Sequence, residues 1–135
     1  MIAGLLAVVL GMLSLFHVAW ACGARIGSNV VIPEVDGRPV FTPSRTATIL
    51  VAVGLAGAAV VALARGGLII LPIPSFMVQL AAALLGLVFL ARTVGDFRLA
   101  GAFKRIRGTP FATWDTWLFT PLCGLMSAGF FLIAS

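Results

Sequence analysis

Four stretches of this chain each run about twenty residues with almost no charge, and a soluble fold of 135 residues could not hide that much apolar surface. A hydrocarbon core of ~30 Å asks for about 20 residues of helix per crossing. Residues 2–22, 46–64, 72–92 and 115–134 supply four such spans. His17 is the strongly polar residue of the first. Pro72 and Pro74 make the third irregular at its start, so its regular helix is expected from Ser75. Within lipid every backbone amide must be satisfied inside its own segment, so each span reads as helix. The composition agrees: 61% hydrophobic and 10% charged, where soluble domains run nearer 45–50% and about 25%. The expected fold class is all-α, an integral membrane four-helix bundle. Residues 1–135 are read as one four-span domain.

Met1 to Leu10 carries no Lys or Arg, so a signal peptide would lack its basic n-region, and the first segment is expected to stay as a helix. The net charge of +5 would raise nucleic-acid binding in a soluble protein. Here the charges flank apolar spans, where membrane topology and anionic headgroups account for them, and no nucleic-acid partner is expected. Arg25, Arg38 and Arg45 lie in the first connection, and Arg92, Arg98, Lys104, Arg105 and Arg107 lie in or beside the third. Arg65 alone lies in the second. The positive-inside rule puts the first and third connections in the cytoplasm and both termini outside. Trp20, Trp114 and Trp117 fall at that same boundary, as an aromatic belt would.

Between the first two spans, Asp36-Gly37 separates two apolar runs and signals a tight hairpin at the bundle's cytoplasmic end. Thr42-Pro43 reads as an N-cap with proline at the first helical position. In the third connection Leu99, Phe103 and Ile106 recur at helical spacing among Arg98, Lys104, Arg105 and Arg107. That pattern predicts a short basic amphipathic helix in the headgroup layer, with those four cations as lipid-headgroup contacts. Small residues four apart occur in every span: Ala3, Ala7 and Gly11; Gly54, Ala58 and Ala62; Ala82 and Gly86; Gly124 and Ala128. They serve close packing inside the bundle or against a second copy of the chain.

Ionisable groups within or beside a span are costly and point to a site by default. His17 lies about 7.5 Å below the end of its helix, with Trp20 on roughly the same face. Arg92, Asp96 and Arg98 surround the end of the third span, and Asp115 and Thr116 open the fourth. All fall at the cytoplasmic face. They are expected to approach one another as a polar cluster, with an Arg–carboxylate contact at its heart and His17 facing the bundle. The competing reading is structural: His17 bonding a neighbouring helix, Asp115 capping the fourth, and the basic residues setting topology. Cys22 and Cys123 have no metal-ligand spacing, and no metal or cofactor is expected.

At these residues the sequence resembles an uncharacterised bacterial family of small four-span membrane proteins, a domain of unknown function. The matching pieces are His17-x-x-Trp20-Ala21, the run Phe89 to Arg98, Gly101-x-Phe103-Lys104, Phe111-Ala112-x-x-Asp115-Thr116 and Pro121-Leu122-Cys123. The resemblance implies a bacterial cytoplasmic membrane and a four-helix fold, and no reaction. The function expected is non-enzymatic binding of a lipid-like ligand, or of a partner membrane protein, at the polar cluster. A small transporter or channel is one alternative, though no span carries a carboxylate deep in the bilayer or an Asn. The other is an enzyme on lipid or quinone headgroups using His17 and Asp115 as acid and base.

Overall fold

The computed structural model describes residues 1–135, the side chains of Ser28 and Asn29 excepted. Four helices are long and apolar enough to cross a membrane: α1 (Ile2–Ala21), α3 (Arg45–Arg65), α4 (Ser75–Val94), and a fourth running Pro110–Ala134. They pack as a four-helix bundle. α4 begins at Ser75, directly after Pro74, as the two prolines require. The most extensive contacts pair α1 with α3 and the fourth helix with α4.

The bundle is held by close approach and by serine hydroxyls. Leu10 and Phe130 are fully buried, and Phe130 stacks on Phe89 with ring centroids 5.8 Å apart. A Cβ on Gly86 would stand 2.9 Å from the Phe131 ring, and one on Gly129 3.0 Å from Leu6, so both glycines set helix separation. Ser14 Oγ donates to the Ala52 carbonyl and Ser127 Oγ to the Gly86 carbonyl, each at 2.8 Å. Bonds of this kind are worth about 0.6–2 kcal/mol each in a bilayer. Of the four small-residue series, Ala3, Ala7, Ala58, Ala62, Ala82 and Gly86 are buried, while Gly54 and Ala128 face outward. Periodicity alone could not tell those two faces apart.

Between α1 and α3 lie a one-turn helix α2 (Ser28–Val31) and two short strands, β1 (Glu34–Val35) and β2 (Arg38–Pro39), paired antiparallel with Val35 opposite Arg38. Asp36 and Gly37 both have positive φ, 51° and 73°, as a type I′ turn demands. The cap of α3 is Ser44 rather than Thr42: Ser44 Oγ accepts from the Ala47 N–H at 3.1 Å, and the helix starts at Arg45. α2 packs against the start of the fourth helix, so the two basic connections share one end of the bundle. At the other end, Arg65 Nε and Gln79 Nε2 donate to the carbonyls of Ile133 (2.8 Å) and Ala134 (2.7 Å). A cation and an amide thus satisfy carbonyls that the last turn of a helix leaves open.

Two expectations fail in the third connection. Residues 97–107 form no helix. Gly95, Phe97 and Gly101 take φ of +88°, +60° and +91°, and left-handed residues so closely spaced cannot belong to a right-handed helix. The hydrophobic spacing instead feeds a compact loop. The fourth helix also begins a turn and a half earlier than expected, as α5 (Pro110–Trp114), with Thr109 Oγ1 capping the Ala112 N–H at 3.1 Å and Pro110 in the first turn.

Candidate functional site

Pro121 decides the geometry of the site. It has no N–H to give the carbonyl one turn back, and its ring crowds that carbonyl. The helix answers with a π-helical turn over Asp115–Phe119, closed by the Thr120 N–H on the Asp115 carbonyl, before α6 (Thr120–Ala134) resumes regular winding. On an α-helix, side chains five apart point about 140° away from each other. Hydrogen bonding five residues back brings them one above the other. Thr120 Oγ1 therefore reaches Asp115 Oδ2, at 3.1 Å.

Asp115 is completely buried. Arg92, in the last turn of α4, donates from Nη2 to Oδ1 at 2.6 Å. Oδ2 accepts three bonds: from Lys104 Nζ at 3.0 Å, from the Gly101 N–H at 2.8 Å and from Thr120. Lys104 is itself buried and donates a second bond to the Gly101 carbonyl at 3.1 Å. A lysine is sealed in this way only where a counter-ion and acceptors compensate its lost hydration. One carboxylate thus ties the end of α4, the following loop and the π-turn into a clasp.

The loop is shaped to deliver those donors. Gly95 and Gly101 cross so closely that a Cβ on either would collide with the other strand's backbone. Asp96 Oδ1 accepts the N–H groups of Arg98 (3.0 Å), Leu99 (2.7 Å) and Ala100 (2.9 Å). Slight burial works to raise the Asp96 pKa, but these backbone donors outweigh it and hold the carboxyl below its ordinary value. The Ala102 N–H returns to the Thr93 carbonyl at 2.8 Å, folding the loop against the end of α4.

The expected cluster is therefore assembled in part. The Arg–carboxylate contact forms between Arg92 and Asp115, and through a single nitrogen. Asp96 and Arg98 are absorbed by the loop. Asp115 lies in the second turn of the long helix and is no cap; Thr109 fills that role. His17 donates from Nδ1 to the Leu13 carbonyl at 2.7 Å and meets Trp20 edge to face at 4.9 Å, both within α1. Among the described residues nothing ties it to Arg92, Asp96 or Asp115, so the pairing of His17 with Asp115 as acid and base is not assembled. Trp20 Nε1 donates to the Ile26 carbonyl at 2.7 Å and pins the chain leaving α1. Lys104 cannot contact headgroups, because the clasp consumes it, whereas Arg98, Arg105 and Arg107 are exposed.

Gly101 and Thr120 escaped the sequence reading as donors to Asp115. Gly101 stands in the motif beside Lys104, but a backbone N–H leaves no mark in a sequence. Thr120 needs the π-turn, whose signal was Pro121. Beside the clasp, Arg107, Gly108, Ala112, Thr113, Thr116 and Trp117 line an open groove of about 140 Å³. Thr116 Oγ1 donates to the Ala112 carbonyl at 2.8 Å, which leaves its oxygen free to accept.

Among curated proteins and among solved structures nothing matches the chain. A family model does, over residues 10–130, which takes in the clasp, its loop, α3 and α4 whole and most of the first and fourth long helices; the chain belongs to the family described as protein of unknown function (DUF3995).

Proposed function

We propose that the protein is a non-enzymatic module of a bacterial inner membrane that binds an anionic lipid-like ligand at its cytoplasmic end, in the groove beside the clasp. One observation carries this reading. The groove joins an exposed guanidinium, Arg107, to two threonines and to Trp117, which is 81% exposed, at the start of an apolar helix. A phosphate suits the arginine, and an acyl chain suits the indole face and the helix below it. The groove is smaller than a drug-sized pocket of about 300 Å³ or more, and so takes a headgroup rather than a whole small molecule. The clasp supports the reading indirectly: Asp115 has its acceptors filled, so it holds the groove's shape instead of binding the ligand.

The test is native mass spectrometry of the protein with phosphatidylglycerol and phosphatidylcholine in equal amounts. The anionic lipid is expected to be retained preferentially, and Arg107→Gln is expected to lower its retention about tenfold, the worth of one charge-assisted hydrogen bond. Equal retention of both lipids, or no response to Arg107→Gln, overturns the proposal.

A further inference from the structure

The loop that supplies the clasp also pushes two aromatic rings outward. Phe97 and Phe103 are 57% and 61% exposed and stack on each other with centroids 6.1 Å apart. Phe97 holds a left-handed φ of +60°, which a bulky side chain adopts only where its surroundings over-determine it. Those surroundings are rigid: the Asp96 bonds on one side, and on the other Lys104, fixed to Asp115. The same loop brings Arg98 and Arg105 together along the backbone, since the Arg98 carbonyl accepts the N–H groups of both Arg105 (3.2 Å) and Ile106 (2.9 Å). Both arginines are exposed, and among the described residues neither has a carboxylate partner.

We infer that Phe97 and Phe103 form a preformed wedge seated in the interfacial layer of the protein's own bilayer, with Arg98 and Arg105 on lipid phosphates. Two features fix the occupant. Adjacent unpaired cations call for an external anion, and an anionic membrane surface attracts juxtamembrane arginines. The depth also fits: the Phe103 N–H approaches the Val94 carbonyl at 3.5 Å, which sets the backbone that carries this ring level with the last turn of a helix long and apolar enough to span a membrane. Apolar rings flanked by cations at that level bury into the boundary between headgroups and acyl chains. The inference rests on the four spans crossing a membrane and not on the groove ligand, so either can fail alone.

The experiment places a bimane probe at the wedge through Ala102→Cys, in a chain carrying Cys22→Ser and Cys123→Ala. Both phenylalanines stay in place. The protein is reconstituted in vesicles of phosphatidylcholine with and without phosphatidylglycerol. Lipids brominated high on the acyl chain are expected to quench the probe, and aqueous iodide is expected not to. Anionic lipid should deepen the quenching, and Arg98→Gln with Arg105→Gln should remove that increment. Phe97→Ser with Phe103→Ser should move the probe toward iodide. A probe in the parent chain that iodide quenches and brominated lipid does not overturns the inference, and leaves the rings facing water as a surface for a soluble protein.

Discussion

Lys104 and Asp115 meet at 3.0 Å with neither side chain open to solvent, eleven residues apart in sequence, the lysine within the loop that joins α4 to the fourth helix and the carboxylate in that helix. Breaking a buried pair from one side leaves the other charge stranded, at about 3–5 kcal/mol. The two sides are not equivalent here. Asp115→Ala strands Lys104 and frees every donor of the clasp. Lys104→Met leaves Asp115 with Arg92, Gly101 and Thr120, and a side chain of similar length fills the space. Asp115→Ala is therefore expected to cost about 3–5 kcal/mol and Lys104→Met clearly less, measured by thermal unfolding in one detergent. A larger loss from Lys104→Met would contradict this account of the clasp.

Asp96 carries a pH prediction. Its carboxyl titrates below its ordinary value in the folded loop, because three backbone N–H groups favour the charged form. Its contribution is complete above the unfolded value of about 3.9 and is lost as pH falls through the lower folded value. The amide resonances of Arg98, Leu99 and Ala100 should shift together in that acid window. Asp96→Asn should abolish the transition, and resonances that move instead near neutral pH would assign it to another group.

The crossing of Gly95 and Gly101 separates steric from conformational cost. Gly95→Ala meets the backbone of Ala100 and Gly101, while Gly108→Ala keeps a positive φ of +86° but enters open space. Gly108→Ala should cost about 1 kcal/mol, the strain of one left-handed residue. Gly95→Ala should abolish the loop and, with it, the Gly101 bond to Asp115. Similar melting temperatures for the two variants would mean that the crossing is not tight.

Topology is testable at the C-terminus. The connections bearing Arg25, Arg38 and Arg45 and bearing Arg98, Arg105 and Arg107 share one end of the bundle, and Arg65 marks the other. A Ser135→Cys chain, with Cys22 and Cys123 removed, should react with an impermeant maleimide added from outside intact cells. Reaction from the cytoplasmic side alone would reverse the orientation that the basic residues imply.

The spans were legible because a bilayer imposes length and hydropathy on a sequence directly. Ser75 as the start of α4 and the Asp-Gly turn were legible for similar reasons, since proline and glycine act through their own backbone. The loop after α4 was not. Leu99, Phe103 and Ile106 have helical spacing, yet Gly95, Phe97 and Gly101 take left-handed angles that spacing does not reveal. Arg92 with Asp115 was foreseeable as charge pairing at matching depth. The burial of Lys104 was not, because composition presents a lysine among arginines as one more surface cation, and only the fold shows which of them is enclosed.

The π-turn at Asp115–Phe119 amounts to one residue more than an α-helical turn holds. Removing a residue from it would let the helix wind regularly and would swing everything beyond by about 100°. Met126, Ser127 and Phe130, all buried against the other helices, would then turn away from them, and the Ser127 bond to Gly86 would be lost. A chain shorter by that single residue would keep the same hydropathy profile, the same charges and the same four spans. Its last helix would present the wrong side to the bundle.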